Sequence, residues 1–76
     1  MSLHRFVNGT AKPLLVWIEP WCEEIYVPPD STLIIRQEGI AEGADETIIE
    51  PKDDMLVFWC GGSTYSAELD GAPLPT

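Results

Sequence analysis

The chain has 76 residues, 45% of them hydrophobic, and its 13 acidic and four basic side chains give a net charge of −9. This length and apolar content predict one folded domain over residues 1–76 rather than a disordered chain. The acidic excess argues against nucleic acid or an anionic membrane as a partner, because Lys and Arg bind both, and no run approaches the roughly 18 apolar residues of a membrane span.

Prolines and glycines divide the first half of the chain into short segments with the spacing of strands. Asn8-Gly9, Pro20 and the proline-rich residues 28–31 are turn signals between these segments. The first residues lack the apolar stretch of a secretory signal, so we expect a cytoplasmic protein. The four predicted strands of this half span residues 3–7, 14–18, 23–27 and 32–36.

The second half begins with a Gly- and acid-rich stretch, residues 37–46, which we predict to be the longest loop because its glycines disfavour a helix. Asp70-Gly71 is the signal of a terminal hairpin. Seven or eight short strands joined by tight turns predict an all-β fold, either a small antiparallel β-sandwich or a jelly-roll-like barrel. The predicted strands of this half span residues 47–50, 55–60, 64–69 and 72–74.

Two predicted strands are apolar on both faces, since side chains alternate across a strand. A sandwich covers only one face of each sheet. The second faces therefore need cover from the chain itself (the loop 37–46 or a terminus), from a second copy, or from another ligand or protein. Our first hypothesis is a non-catalytic interaction or structural module that forms a homodimer through these second faces, which consist of Leu15, Trp17, Met55, Val57 and Trp59.

Aromatic side chains support a second hypothesis, a binding site for a small ligand or a carbohydrate. Aromatic rings offer flat apolar faces on which such ligands stack. The alternative use of these side chains is packing in the core and at an interface. The candidate platform consists of Trp17, Trp21, Tyr26 and Trp59.

Catalytic and metal sites have little support in the sequence, and we expect no cofactor and no bound metal. His4 is the only histidine, near a chain end that we expect to be loose, so neither a nucleophilic triad nor a His-based metal site can be assembled. A third hypothesis, an enzyme that uses carboxylates alone, would pair Glu19 with Glu24 and requires the two groups to converge in a pocket.

Cys22 and Cys60 each follow a tryptophan, which favours buried free thiols that act as small hydrophobic groups. The alternative is a disulfide between them, which would close a long loop. Asn8-Gly9-Thr10 matches the glycosylation acceptor pattern, but without a visible signal peptide we interpret it as a turn.

Residues 19–29 read EPWCEEIYVPP and resemble the EPWxEEYxLPP stretch of a group of short, acidic bacterial proteins. Cys22 stands where that group usually has glycine. The terminal hairpin at Asp70-Gly71 fits the group as well. The resemblance implies a small β fold and no particular activity.

Residues 23–27 and 50–58 are also similar to parts of a cupin core, the strand after the first motif and the turn with its following strand. Trp21 and Tyr65 stand roughly where that family has metal-binding histidines. This resemblance therefore implies a jelly-roll-like topology without the metal chemistry.

Overall fold

A computed structural model describes residues 2–40 and 46–75, which form eight strands in two four-stranded sheets. The all-β class and the strand count agree with the sequence prediction, and each strand end lies within two residues of its predicted position. The strands are β1 (Ser2–Val7), β2 (Leu14–Glu19), β3 (Glu23–Val27), β4 (Thr32–Glu38), β5 (Ile48–Lys52), β6 (Met55–Trp59), β7 (Thr64–Leu69) and β8 (Ala72–Pro73).

The first sheet has the strand order β1-β4-β7-β8, and the second has the order β3-β2-β6-β5. Five of the six strand pairs among the described residues are antiparallel, as predicted, and β2 pairs with β6 in parallel. Parallel neighbours need a long crossover connection. The chain provides one by leaving the second sheet after β3, running through β4 of the first sheet, and returning through β5.

The core lies between the two sheets, around the ring of Phe58. His4 and Phe6 of β1 meet this ring edge-on, with ring centroids 5.2 and 5.9 Å away. His4, expected near a loose end, is therefore half-buried within a strand. Complete burial of one aliphatic or Phe side chain stabilises the folded state by roughly 1.5–3 kcal/mol. The fully buried apolar cluster consists of Val16, Ile18, Val27, Leu33, Ile35, Phe58 and Ala67.

The β7–β8 hairpin has the two-residue turn predicted at Asp70-Gly71, where φ is 49° and 84°. Two successive positive φ angles define the turn type that matches the strand twist. Oδ1 of Asp70 accepts a hydrogen bond from the Thr32 amide at 2.8 Å, and the Asp70 amide donates to the Thr32 carbonyl at 2.9 Å. These bonds attach the hairpin to the start of β4, and the Thr32 amide lowers the pKa of Asp70.

The Asn8-Gly9-Thr10 segment is a turn, as predicted, and carries the chain from the first sheet to the second. The Asn8 side chain is buried, and its amide nitrogen donates to the carbonyls of Lys12 and Val27 at 2.7 and 2.8 Å. Its Oδ1 accepts a hydrogen bond from the Thr10 amide. Asn8 is thus a structural residue that holds the turn against the end of β3.

Candidate functional site

The outer side of the second sheet carries an apolar surface, hereafter the apolar face, in which Glu19 of β2 lies beside Trp59. The parallel register of β2 and β6 places Leu15 beside Met55 and Trp17 beside Val57. The edge strands extend these rows, with Tyr26 of β3 beside Leu15 and Ile48 of β5 beside Trp59. All five residues of the self-association hypothesis therefore share one face. The complete apolar face consists of Leu15, Trp17, Tyr26, Ile48, Met55, Val57 and Trp59.

The ends of the apolar face are open to solvent. Tyr26 is 60% exposed, Ile48 58% and Trp59 41%. Leu15, Trp17 and Met55 are half-buried, and Val57 is buried among its neighbours. Of the five residues predicted to need cover only Trp59 is exposed, and the most exposed side chains of the apolar face, Tyr26 and Ile48, belong to the edge strands.

Charged side chains border the apolar face along its edge strands. Glu24 lies across from Trp17, while Glu50 and Lys52 lie across from Val57 and Met55. Lys52 Nζ is 3.7 Å from Glu50 Oε1, a loose surface pair. An apolar centre with a charged border is the usual anatomy of a protein interface.

The expected cover from the loop 37–46 is not found in the described residues. Gln37 and Glu38 belong to β4, and Gln37 points into the core, so the predicted loop begins two residues too early. Residues 41–45 of that loop lie outside the described residues. The exposure of Tyr26, Ile48 and Trp59 shows that no described segment lies over the two ends of the apolar face.

A groove of about 470 Å³ extends one end of the apolar face. Pro13 and Tyr26 form its apolar walls together with Leu15 and Met55, and the β5–β6 turn closes it with Lys52 and two aspartates. The groove gives the apolar face a concave end.

A second concave site lies where the β2–β3 turn meets the start of β7; we name it the Trp21 cleft. The rings of Trp21 and Tyr65 have centroids 5.1 Å apart and planes inclined by 44°. Tyr65 Oη donates to Glu23 Oε1 at 2.6 Å. Ser63 and Thr64 complete the lining of a cleft of about 190 Å³.

Burial, together with the hydrogen bond to the Glu23 carboxylate, raises the pKa of Tyr65 well above its ordinary value. The phenol therefore stays protonated and continues to donate to Glu23. The Glu23 carboxylate makes no other hydrogen bond or ion pair within the described residues.

The buried Gln37 side chain positions the loop that forms one wall of the Trp21 cleft. Its Oε1 accepts hydrogen bonds from the amides of Gly61 and Gly62 at 2.7 and 3.2 Å, and its Nε2 donates to Thr47 Oγ1 at 2.9 Å. A Cβ at Gly62 would lie 2.3 Å from the Glu38 carbonyl oxygen, so this close approach requires glycine. The sequence analysis assigned Gln37 to a loop, although Gln37 continues the inward-facing alternation of side chains along β4.

The β2–β3 turn carries Cys22, which is exposed rather than buried as expected. Residues 20–22 form a turn beyond the strand ends, with a cis peptide bond before Pro20 and φ of 56° at Cys22, and they project away from the core. The adjacent Glu19 carboxylate raises the pKa of the Cys22 thiol. One Glu19 oxygen is shielded from solvent and has no hydrogen-bond partner in the described part of the chain.

Cys60 is half-buried and packs against the core, as expected for a thiol that acts as a hydrophobic group. No disulfide joins Cys22 to Cys60, so the disulfide alternative is not formed.

The four aromatic residues of the platform hypothesis do not form one surface. Trp17, Tyr26 and Trp59 lie on the apolar face, while Trp21 lies against Tyr65 in the cleft. None of the three tryptophans belongs to the core, so the expectation that they pack in the core is wrong, while packing at an interface stays a prediction. The core takes Phe58 and aliphatic side chains instead, because the inward positions of β2 and β6 hold those residues.

The carboxylates of the enzyme hypothesis belong to adjacent strands of the second sheet. Glu19 and Glu24 lie on the outer side of the second sheet, and no hydrogen bond or ion pair among the described residues joins them. It is Glu23 that meets another functional group, Tyr65. Within residues 2–40 and 46–75, no three His, Cys, Asp or Glu side chains lie close enough together to hold a metal ion. The same residues contain no helix with the length and apolarity to cross a membrane.

No protein-family model, no curated protein and no solved structure matches this chain. The two resemblances described above therefore remain predictions, and function is argued from the geometry of the apolar face and the Trp21 cleft.

Proposed function

We propose that the chain is a non-catalytic interaction module that forms a homodimer through the apolar face. The observation that supports the proposal is the register of β2 and β6, which sets Leu15 and Trp17 beside Met55 and Val57 on the solvent side of the sheet. Contiguous exposed apolar patches of this kind mark interaction sites, because leaving them in water is unfavourable. We further propose a cytoplasmic location, with which the lack of a disulfide between Cys22 and Cys60 agrees.

The size of the apolar face suits a reversible dimer. Four strands spaced about 4.8 Å apart, with three outward rows about 6.7 Å apart, give roughly 400 Å² for the outer side of the whole sheet, its charged positions included. Two such faces in contact bury about 1,000 Å² once side-chain relief is included, which is near the lower limit for a specific interface. We therefore expect a dissociation constant of roughly 1–100 µM.

The response to salt separates a dimer held by the apolar face from an assembly held by surface ion pairs. Each copy carries a net charge of −9, so two copies repel each other at long range, and salt screens that repulsion. Burial of apolar surface is not screened. The proposed dimer should therefore become tighter as salt increases, whereas an assembly held by surface ion pairs would become weaker.

Sedimentation velocity or light scattering over a wide concentration range tests the proposal, at about 20 mM and about 500 mM salt. We expect a monomer–dimer equilibrium that shifts toward the dimer at the higher salt concentration. A strict monomer at about 1 mM protein, or a dimer that dissociates in salt, would overturn the proposal.

Two lysine substitutions locate the interface. Tyr26→Lys and Ile48→Lys lie at opposite ends of the apolar face, and both side chains are mostly exposed, so the fold should tolerate the changes. Val7→Lys is the matched control, because Val7 is 64% exposed on the outer side of the other sheet. All three changes reduce the net negative charge by one, which by itself favours association.

If the apolar face is the interface, Tyr26→Lys and Ile48→Lys should weaken the dimer about tenfold or more, because each buries an unpaired charge. Val7→Lys should leave the dimer unchanged or slightly stronger. Equal dimerisation of all three variants would place the interface elsewhere.

A further inference from the structure

The Trp21 cleft is a second concave surface, and it shares no residue with the apolar face. Its walls are two aromatic rings, Trp21 and Tyr65, whose inclined planes leave an open angle between them. Its polar groups are the Glu23 carboxylate and the hydroxyls of Ser63 and Thr64. Aromatic faces combined with a carboxylate provide negative potential from several directions, which is the environment that binds organic cations.

The charge of the molecule selects among ligands for such a cleft. The net charge of −9 repels phosphates and acidic ligands and concentrates cations near the surface. Arg36, the basic residue of β4, is already paired with Glu68 on the outer side of the first sheet. No basic side chain lines the Trp21 cleft, so the Glu23 charge has no cationic partner among the described residues.

The cleft is held in shape before a ligand arrives. The hydrogen bond from Tyr65 to Glu23 fixes the relative position of one ring and the carboxylate. The Gln37 side chain holds the amides of Gly61 and Gly62, and the Ser63 amide donates to the Glu38 carbonyl at 2.8 Å. A preformed site loses less conformational entropy on binding, so even a small ligand can be retained.

We propose that the Trp21 cleft binds the alkylammonium group of a small molecule. The ammonium group lies against the exposed indole of Trp21 and the ring of Tyr65, and the Glu23 carboxylate supplies the countercharge. A cleft of about 190 Å³ is large enough for a methylated ammonium head. The site is independent of the proposed homodimer, since none of its residues lies on the apolar face.

Choline chloride is the probe, and 3,3-dimethylbutan-1-ol is its uncharged control of the same shape. The readouts are the indole N–H signals of the three tryptophans in a proton–nitrogen NMR spectrum, with sodium chloride added to matched ionic strength. We expect a saturable shift of the Trp21 signal below about 50 mM choline, with the Trp17 and Trp59 signals unmoved. The uncharged control should bind at least about threefold more weakly, since it lacks the attraction of a cation to the rings.

Three variants test the assignment of the site, with binding followed on the choline signal by saturation transfer. Trp21→Leu should abolish binding. Glu23→Gln keeps the acceptor for Tyr65 and should weaken binding about threefold or more. Trp59→Leu is the matched control, since Trp59 is 41% exposed and Trp21 39%, and it should bind choline as the unchanged protein does.

Three results would overturn the proposal: no saturable shift, equal binding of the uncharged control, or binding that persists in Trp21→Leu. Tighter binding of a neutral sugar such as methyl glucoside would also overturn it, because the cleft would then select hydroxyl groups rather than charge.

Discussion

Replacement of Gln37 by leucine tests whether one buried polar side chain holds both the fold and the Trp21 cleft. Gln37 is fully buried, and its two polar atoms make three hydrogen bonds, to Gly61, Gly62 and Thr47. Leucine has a similar size but can accept or donate none of them. The amides of Gly61 and Gly62 would lose their acceptor at the crossing from β6 to β7.

The expected cost follows from the burial of these groups. Each half-buried amide without a partner costs about 1 kcal/mol, and loss of the bond to Thr47 costs about 1 kcal/mol more. The added apolar contact of leucine offsets part of this loss, so we expect Gln37→Leu to lower the free energy of unfolding by about 2 kcal/mol. That is a substantial share of the roughly 4–11 kcal/mol expected for a domain of this length.

Urea denaturation at neutral pH gives the free energy of unfolding, and amide hydrogen exchange at Gly61 and Gly62 gives the local effect. Both amides should exchange about tenfold faster or more in Gln37→Leu. Ile35→Leu, two residues earlier on the same face of β4, is the control: it should cost less than about 1.5 kcal/mol and leave both amides protected. A Gln37→Leu protein with unchanged stability and exchange would refute the reasoning.

Two further predictions follow from the titrating groups. Cys22 is exposed, but it should react with iodoacetamide at about pH 8 more slowly than an unperturbed thiol, because the Glu19 carboxylate raises the pKa of Cys22. Glu19→Gln should speed this reaction, which mass spectrometry follows on the Cys22 peptide. Equal rates in the two proteins would contradict the prediction. The pKa of Asp70 is lower in the folded chain than in the unfolded chain, where it is about 3.9. The ionised side chain therefore stabilises the fold at a pH above the unfolded pKa, and this stabilisation is lost as the pH falls through the folded pKa. Asp70→Asn keeps the acceptor for the Thr32 amide but does not titrate. The free energy of unfolding of this variant, measured by urea titration, should therefore fall less between about pH 5 and pH 2 than that of the unchanged protein. An identical pH dependence in the two proteins would argue against the role of Asp70.

Several features of the fold could be predicted from the sequence because they depend on neighbouring residues alone. The alternation of side chains along a strand is a local property of the backbone, so the inward and outward faces of β2, β6 and β7 were predictable. The Asp70-Gly71 turn was predictable for the same reason, since these residues tolerate the positive φ angles that a tight hairpin requires.

The candidate sites depended on contacts between distant parts of the chain. The sequence predicted that β2 and β6 each have a second apolar face. The two faces form one surface only because β2 pairs with β6 in parallel. The Trp21 cleft likewise joins the β2–β3 turn to β7, which follows it by about forty residues in the sequence. No local sequence pattern predicts either contact, because each forms only after the chain has crossed from one sheet to the other.

By itself, the sequence determined that this is an acidic, all-β domain with more apolar strand surface than a two-layer sandwich can bury. The tertiary structure decided where that apolar surface lies and that Trp21 lines a separate cleft. It also decided that Gln37 is buried in β4 rather than part of a loop. The physical reason is that strand formation and side-chain alternation follow from local backbone geometry, whereas strand order and register follow from the packing of both sheets around Phe58.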